Sequence, residues 1–384
     1  MVERTVMIAE KATKKRRRGS AGAVPQTANV DNDMLPYLSS VPAETALQGI
    51  IDDKSRWKQT ADGGYFYGDL ARTFVAMGDP RSQPTADQQA ATFNKILELD
   101  DSAAQTFLYV MARDLARAAD APKSRLHVNE LLEFKGYKRH AKGDFFLQTK
   151  RDEQRRLVQF SDIWVAVNDE IQVQAGTRLK AKKIKLISRL LELEIEAEPN
   201  DAPSNAPVPM AFLSASTVPY AFRVSLGGWA KPYRAVSTFM QAVLATIGQY
   251  DATRETQRYA MRLMLAIMFM HLPRDENGAQ PRWHVGELLD KARIELPKHH
   301  ADRFRQYVED ALDRLQRDGL IIHWQYEDAD DSALPGKRWL QKWLEWDLSI
   351  AVPGAHMLAA STAVGRPLLQ FSESDGSLEV GLPL

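Results

Sequence analysis

Basic side chains cluster in the first half of this sequence in a pattern suited to binding phosphate. Residues 121–160 carry ten Lys and Arg against five Asp and Glu. Arg151 and Arg155 are four residues apart, so they share one face of a predicted helix. Residues 178–189 add six basic residues with no acidic residue between them. Cations grouped in this way bind phosphates and release counterions, which predicts salt-sensitive binding to nucleic acid.

Other residue types could support metal or catalytic chemistry, but their spacing does not favour it. His127 and His284 lack a second ligand at metal spacing, so we expect both to be structural, each at the start of a short strand. His271 and Arg274 have the spacing of tyrosine recombinase cations, yet Pro273 is expected to end a helix there. The sequence has no GxxxxGK[ST] loop and no Gly-x-Ser-x-Gly elbow. We therefore expect no enzyme, no metal and no cofactor.

An internal repeat supplies the elements that would position the basic residues. Residues 125–132 (RLHVNELL) and 282–289 (RWHVGELL) agree at six of eight positions. Each copy follows a segment with helical periodicity, 103–119 before the first and 255–272 before the second. Each copy therefore belongs to a larger repeated unit.

A further amphipathic helix and strand-like runs follow each copy. In the first, Thr149 and Asp152 suit a capping box, and apolar residues then recur at three- and four-residue spacing. The second has a matching helix over 297–317. The predicted strands are 163–173 and 184–197 in the first copy, and 320–326 and 339–352 in the second. Three helices and a β-hairpin form the order of a winged helix.

We therefore predict an α+β protein with tandem winged-helix domains and β-hairpin wings. The first domain spans 41–198 and the second 233–384, with a proline-rich connection at 199–232. Residues 1–40 are predicted to be a disordered basic tail, because seven basic residues precede small and polar ones. A helix over 235–250 leads into the second domain, and the chain from Phe371 onward is predicted to have little structure.

Composition sets the outer bounds. With 384 residues, of which 44% are hydrophobic, the chain can form two or three domains, and its 50 basic and 50 acidic residues give no net charge that indicates a partner. The absence of cysteine excludes disulfides, thiolate metal sites and thiol nucleophiles. Neither a secretory signal nor an apolar run of about 20 residues occurs, so we expect a cytoplasmic protein, nucleoid- or plasmid-associated, that does not bind membranes.

The second unit has a weaker charge signal. Residues 282–318 hold eight basic and eight acidic residues, and acidic residues at 327–331 in the predicted wing tip would repel phosphate. Basic side chains nevertheless gather at the start of its third helix, where they would reach base edges if that helix entered the groove. DNA contact, dimerisation and a scaffold role all stay open for this unit.

The layout of residues 95–352 resembles the winged-helix replication initiators of bacterial plasmids and related mobile elements. The resemblance rests on the two His-Val-x-Glu-Leu-Leu steps, the stretch LEFKGYKR at 132–139 before a basic helix, and the strand at Trp164. It implies that the third helices read repeated origin sites in double-stranded DNA. It also implies a homodimer that represses its own gene, a monomer that initiates, and contacts with the host replication initiator and helicase.

Charge and the resemblance together define the predicted DNA-contacting residues. By resemblance, the third-helix positions also include Gln154, Gln159 and Gln306. Two alternatives stay open, a winged-helix transcriptional regulator that binds an operator and a partner-binding scaffold, while strand cleavage would indicate a recombinase. The predicted basic and histidine contacts are Lys138, Arg139, Lys142, Lys150, Arg151, Arg155, Lys182, Lys183, Lys185, Lys298, His299, His300, Arg303 and Arg305.

Overall fold

A computed structural model of the chain describes most of the length in which domains were predicted. The chain divides into two units, residues 1–35 and 36–384, and the predicted tail, 1–40, lies outside the described residues. No helix in the described part of the chain combines the length and apolar character needed to cross a membrane. The described residues are 41–115, 117, 121–141, 143–175, 178–196, 221–233, 238–269, 282–297, 300–327, 339–352, 369–371 and 378–380.

Two parts of the chain repeat one arrangement of elements, which confirms a mixed α+β fold with antiparallel sheets. The first repeat (101–226) consists of α3 (Asp101–Leu115), β4 (Ser124–Leu126), α4 (Val128–Phe134), α5 (Leu147–Ser161), β7 (Leu191–Glu196) and β8 (Ala221–Leu226). The second repeat (255–351) consists of α7 (Glu255–Phe269), β9 (Arg282–His284), α8 (Val285–Lys291), α9 (Ala301–Arg317), β10 (His323–Tyr326) and β11 (Asp347–Ala351). Their sheets have matching strand orders, β4-β8-β7 and β9-β11-β10. The sequence repeat therefore marks a structural repeat.

A long hairpin interrupts the first repeat between α5 and β7. Its strands, β5 (Ile163–Ala175) and β6 (Arg178–Arg189), pair over twelve positions and join a five-stranded sheet of order β1-β2-β3-β5-β6. The sequence did not predict the strands that complete this sheet. The elements before the first repeat are α1 (Val41–Ile51), β1 (Lys58–Gln59), β2 (Tyr65–Gly68), β3 (Thr73–Met77) and α2 (Ala86–Leu97).

The prediction of one strand over 184–197 is wrong, because two strands of different sheets meet there. β6 ends at Arg189, and Leu190 and Leu191 are fully buried where the chain passes to β7. The hairpin that matches β10–β11 in the repeat is therefore β7–β8, and β5–β6 is an addition to it.

The predicted proline-rich connection contributes a strand to the first repeat. Phe222 in β8 pairs with Leu126 of β4 on one side and with Ile195 of β7 on the other. Phe222 is fully buried, so this strand completes the core of the first repeat. The domain boundaries themselves stay predictions, since residues 197–220 lie outside the described ones.

Several element ends differ from the prediction. α5 begins at Leu147, after Phe146, whose side chain makes no capping bond, so the Thr149/Asp152 capping box is wrong. The predicted strand over 339–352 begins as a helix, α10 (Trp339–Leu344), of which Trp343 is buried. The predicted helix before α7 is α6 (Thr238–Gly248), and β12 (Leu369–Phe371) pairs with β13 (Leu378–Val380) where little structure was expected.

A polar junction joins the two repeats. Arg262 in α7 forms a two-pronged contact with Asp101 at the start of α3, with distances of 2.7 and 2.9 Å. The same guanidinium donates to the backbone oxygens of Ile51 and Arg293. An open groove of about 860 Å³ lies beside these groups. One arginine thus connects α1, α3 and the turn after α8.

The turn after α8 has an arginine where the turn after α4 has a glycine. Gly136 and Arg293 each stand two residues beyond the helix in the left-handed region, with φ of 76° and 55°. A non-glycine residue is disfavoured there because its Cβ approaches the backbone. Arg293 compensates, since its Nε lies 3.3 Å from the buried carboxylate of Asp52 and its carbonyl accepts from Arg262.

Candidate nucleic-acid interface

The helix α5 has one buried face and one basic face. Leu157 and Phe160 are fully buried in the common core. Leu147, Arg151 and Arg155 follow one another at four-residue intervals on the other face. The Arg155 side chain is 61% exposed, and its guanidinium lies 3.7 Å from Asp152, a distance typical of a weak surface contact. This face, the α5 stripe, thus presents Leu147 and Arg155 to solvent, with Arg151 half-buried between them.

A buried ion pair fixes α5 against the rest of the repeat. Lys135, which follows α4, lies 2.7 Å from Glu153 in α5, and both side chains are 1% exposed or less. Glu153 also accepts from Thr106 in α3 at 3.0 Å and from Arg156 at 2.5 Å. The network therefore connects all three helices of the repeat.

Burial lowers the pKa of Lys135 to about 8, because desolvation of the ammonium outweighs the attraction of Glu153. Lys135 was one of the ten basic residues counted over 121–160, and it does not reach the surface.

The turn between α4 and α5 adds basic and apolar side chains near the start of the stripe. Lys138 and Arg139 are exposed, and Arg139 contacts Glu133 and lies over the ring of Phe145 at 5.2 Å. Lys150 donates to Asp144 at 2.7 Å, which lowers the pKa of that carboxyl. Two cations at this turn are thus partly neutralised, and Lys138 has no acidic partner among the described residues. The predicted contact Lys142 lies outside them.

Two glutamines predicted to read DNA face the interior instead. Gln154 and Gln159 are 7% and 3% exposed. The amide of Gln159 donates to the backbone oxygen of Lys95 in the last turn of α2. A buried amide with a protein partner cannot contact DNA unless the helix moves, so these two predicted contacts are wrong.

The hairpin β5–β6 presents lysines along one side of a strand. Lys183 and Lys185 are exposed, while Ile184 between them is buried, so the lysines share the outer face. Lys183 is opposite Glu170 in the register and Lys185 is opposite Asn168. Lys182 lies in the strand, opposite Ile171, and its side chain is outside the described residues.

At the base of this hairpin two arginines flank the aromatic ring of Trp164. The guanidinium carbons of Arg81 and Arg189 lie 4.8 and 5.6 Å from the ring centroid of Trp164. Arg81 also pairs with Asp79 at 2.7 Å. Arg189, which is exposed, therefore extends the basic side of β6 to the end of the strand.

The sheet of the first repeat neutralises the basic residues that point toward β7. Lys123 lies 2.8 Å from Glu194, and Arg125 lies 2.7 Å from Glu196. Although burial acts in the opposite direction, hydrogen bonds from Arg223 and Arg125 hold the pKa of Glu196 below its usual value. The alternating glutamates of β7 are thus explained by a ladder of ion pairs, and Lys123 and Arg125 belong to it.

The helix α9 carries four basic residues, as many as α5, but four acidic residues stand among them against two in α5. Arg303 is exposed, and His300 precedes the helix in the left-handed region with φ of 58°. Arg305, a predicted contact, is instead packed inward, 2.7 Å from Glu309 and over the ring of Trp346 at 5.1 Å. These groups hold the guanidinium near the sheet with 21% of the side chain exposed, and DNA contact by Arg305 stays a prediction.

Two further side chains of this helix end were also predicted as contacts. Gln306 donates to Asp310 at 2.7 Å, so its amide is engaged within the helix. Lys298 and His299 lie outside the described residues.

The repeated histidines stand at strand ends, where a helix follows at once. His127 and His284 each precede the first residue of α4 or α8, and neither side chain caps its helix. His284 lies 3.0 Å from Asp347 in β11. Both positions fit a structural role, although each lies at the end of a strand and not at the start that we predicted.

Two solved structures align with this chain. A crystal structure of RctB domains 2 and 3 covers 82% of this chain and 99% of that one, with a TM-score of 0.40 and 11% identity. A crystal structure of selenomethionine derivatives of the same two domains covers 77% and 91%, with a TM-score of 0.38 and 9% identity. No protein family matches the chain, and no curated protein does. At TM-scores this low, neither likeness bears on function.

Proposed function

We propose that each repeat is a winged helix and that the chain binds specific sites in double-stranded DNA. We further propose that it acts in replication initiation at repeated origin sites of a plasmid or related element. The α5 stripe carries the proposal, because its two arginines stand one turn apart on a helix that a buried ion pair holds in place. The element order and the matching strand orders of the two repeats support the winged-helix assignment.

The α5 stripe has the dimensions of a major-groove reader. A groove of about 12 Å admits one α-helix, and arginine side chains can contact guanine edges or phosphates from it. Lys138 at the turn, and Lys183 and Lys185 on the hairpin, supply cations for flanking phosphates. The role is binding without a chemical step or a cofactor. A homodimer in solution and contacts with the host initiator and helicase complete the proposal.

The test is a salt titration of DNA binding by the full chain, using fragments from the region upstream of its own gene. Replacing Arg151 and Arg155 by alanine is expected to weaken binding and to reduce the slope of log K against log salt by about 2, since each lost phosphate contact contributes about 0.9.

The matched control removes two positive charges elsewhere. Arg254 and Lys231 are both exposed and lie outside α5 and the hairpin, so their double alanine variant should bind as the unaltered chain does. Equal losses of DNA affinity in both double variants would show that the effect depends only on net charge. No binding by the unaltered chain at low salt would overturn the proposal. Occupancy of successive repeats favours initiation, and occupancy of one palindrome favours a regulator.

A further inference from the structure

Two large apolar side chains stand in solvent where α5 begins. Phe146 is 66% exposed and Leu147 is 50% exposed, and Phe146 is the most exposed large apolar side chain of the described residues. The neighbouring Phe145 is buried and supplies the packing of this turn. Exposing an apolar side chain of this size to water is unfavourable, so two adjacent exposed ones point to a surface that becomes covered.

The apolar pair continues into the α5 stripe. Leu147 is four residues before Arg151, so the two side chains are neighbours on one face, and Phe146 stands in the same relation to Lys150. The first turn of α5 carries no acidic residue. A ligand that covers Leu147 therefore also meets Arg151.

The exposed lysine beside the pair favours a polyanion as the covering ligand. Protein interfaces are depleted of lysine at their core, whereas Lys138 here is exposed and has no acidic partner among the described residues. Duplex DNA combines phosphates with apolar groups, because each thymine places its C5 methyl in the major groove.

We propose that Phe146 and Leu147 contact thymine methyl groups in the major groove and give the first repeat a preference for thymine. This inference rests on the proposed function and specifies what the start of α5 reads. Apolar contact with the methyl is how side chains distinguish thymine there, while Arg151 and Arg155 hold the flanking phosphates or guanines.

The second repeat lacks this feature. The burial of Glu153, Leu157 and Phe160 in α5 matches that of Val308, Leu312 and Leu315 in α9. The same offset of 155 places Ala301 and Asp302 opposite Phe146 and Leu147. Asp302 would repel phosphate and Ala301 offers a single methyl, so the sequence has no comparable apolar pair at these positions of the second repeat.

The experiment replaces every thymine by deoxyuracil in the upstream fragments, which deletes the methyl and leaves base pairing intact. The unaltered chain is expected to bind the uracil fragments about tenfold more weakly, as one good base contact requires. The variant Phe146→Ala/Leu147→Ala should show a similar loss on thymine DNA and no further loss on uracil DNA. Both side chains are exposed, so the variant should fold.

The control variant is Leu97→Ala/Ile322→Ala, which removes two exposed apolar side chains elsewhere. It should keep full sensitivity to the methyl. If Phe146→Ala/Leu147→Ala keeps that sensitivity as well, the inference is wrong, while DNA binding itself stands. If the unaltered chain binds both fragments equally tightly, the inference is wrong as well. If the unaltered chain binds neither fragment, the proposed function fails and the inference fails with it.

Discussion

The two repeats build the same arrangement around different cores. In the first, Lys135 and Glu153 form an ion pair at positions where the second has Ala292 and Val308. Lys135 and Ala292 each follow directly on the second helix of the repeat in the same backbone conformation. The second repeat folds without charge at these positions, so the ion pair is not a requirement of the fold. We interpret it as fixing the position of α5, the helix that we propose contacts DNA.

The exposed side chains of the two third helices also differ. The first repeat exposes Arg155 and an apolar pair on its third helix, whereas the second exposes Arg303 and Arg317 together with Asp313 and holds Arg305 against Trp346. The same order of elements in two repeats therefore does not imply that they bind the same ligands. On this ground we propose that the first repeat makes the main DNA contact; the second is joined to it through Arg262.

The largest effect on stability is expected from removing one partner of the buried ion pair. Lys135→Met leaves Glu153 buried with only Arg156 to balance its charge, and should lower the free energy of unfolding by about 3–5 kcal/mol. Lys135→Met/Glu153→Leu copies the apolar character of the second repeat. Its free energy of unfolding should equal or exceed that of the unaltered chain. Urea denaturation measures both.

Lys123→Met is the control, because its partner glutamates are half exposed and the change should cost under about 1 kcal/mol. A double variant as unstable as Lys135→Met would show that the first repeat depends on the charges themselves. That result would contradict the conclusion that the fold does not require the ion pair.

A smaller effect is expected from pH. The pKa of Lys135 is about 8 in the folded chain and 10.5 as a free side chain. Between these values the unfolded chain binds more protons at Lys135, so the stability of the unaltered chain should rise with pH relative to the Lys135→Met/Glu153→Leu variant, by at most about 3 kcal/mol. Parallel denaturation series from pH 7 to pH 10 measure this, and a difference that stays constant would contradict the burial of a charged lysine.

The smallest expected effect concerns the matched turns. Arg293→Gly relieves backbone strain but loses the contact with Asp52, whereas Arg293→Ala loses the contact and keeps the strain. The alanine variant should therefore be less stable than the glycine variant by about 1–2 kcal/mol. Gly136→Ala in the first repeat should lower the stability by a similar amount. No atom lies within 4 Å of an added Cβ, so the cost comes only from the positive φ of the backbone. Thermal denaturation of the three variants tests this. Equal stability of the two Arg293 variants would show that backbone strain at this turn does not affect stability.

Local sequence patterns predicted the elements that depend on local contacts. The two copies of the eight-residue motif marked β4–α4 and β9–α8, and helical periodicity found α3, α5, α7 and α9. The assignment of strands to sheets failed because β8 joins β4 and β7 across a proline-rich stretch, and β5–β6 pairs with β3 about 90 residues earlier in the chain. Pairing over such separations leaves no trace in local periodicity.

Composition also could not separate exposed charges from buried ones. Lys135 reads as part of a basic surface until Glu153 is found beside it, and the interior position of Gln159 depends on a carbonyl contributed by Lys95. The exposed Phe146 and Leu147 do leave a signal, since an apolar pair next to Phe145 exceeds what one face of a helix can bury.

The most direct test of the central claim uses the absence of cysteine from this chain. A single cysteine placed at Gln148, exposed on α5, or at Asp313, exposed on α9, can carry an iron chelate that cleaves nearby DNA. The account predicts localised cleavage within the bound site from position 148 and little from position 313. Localised cleavage from position 313 with none from position 148 would contradict it.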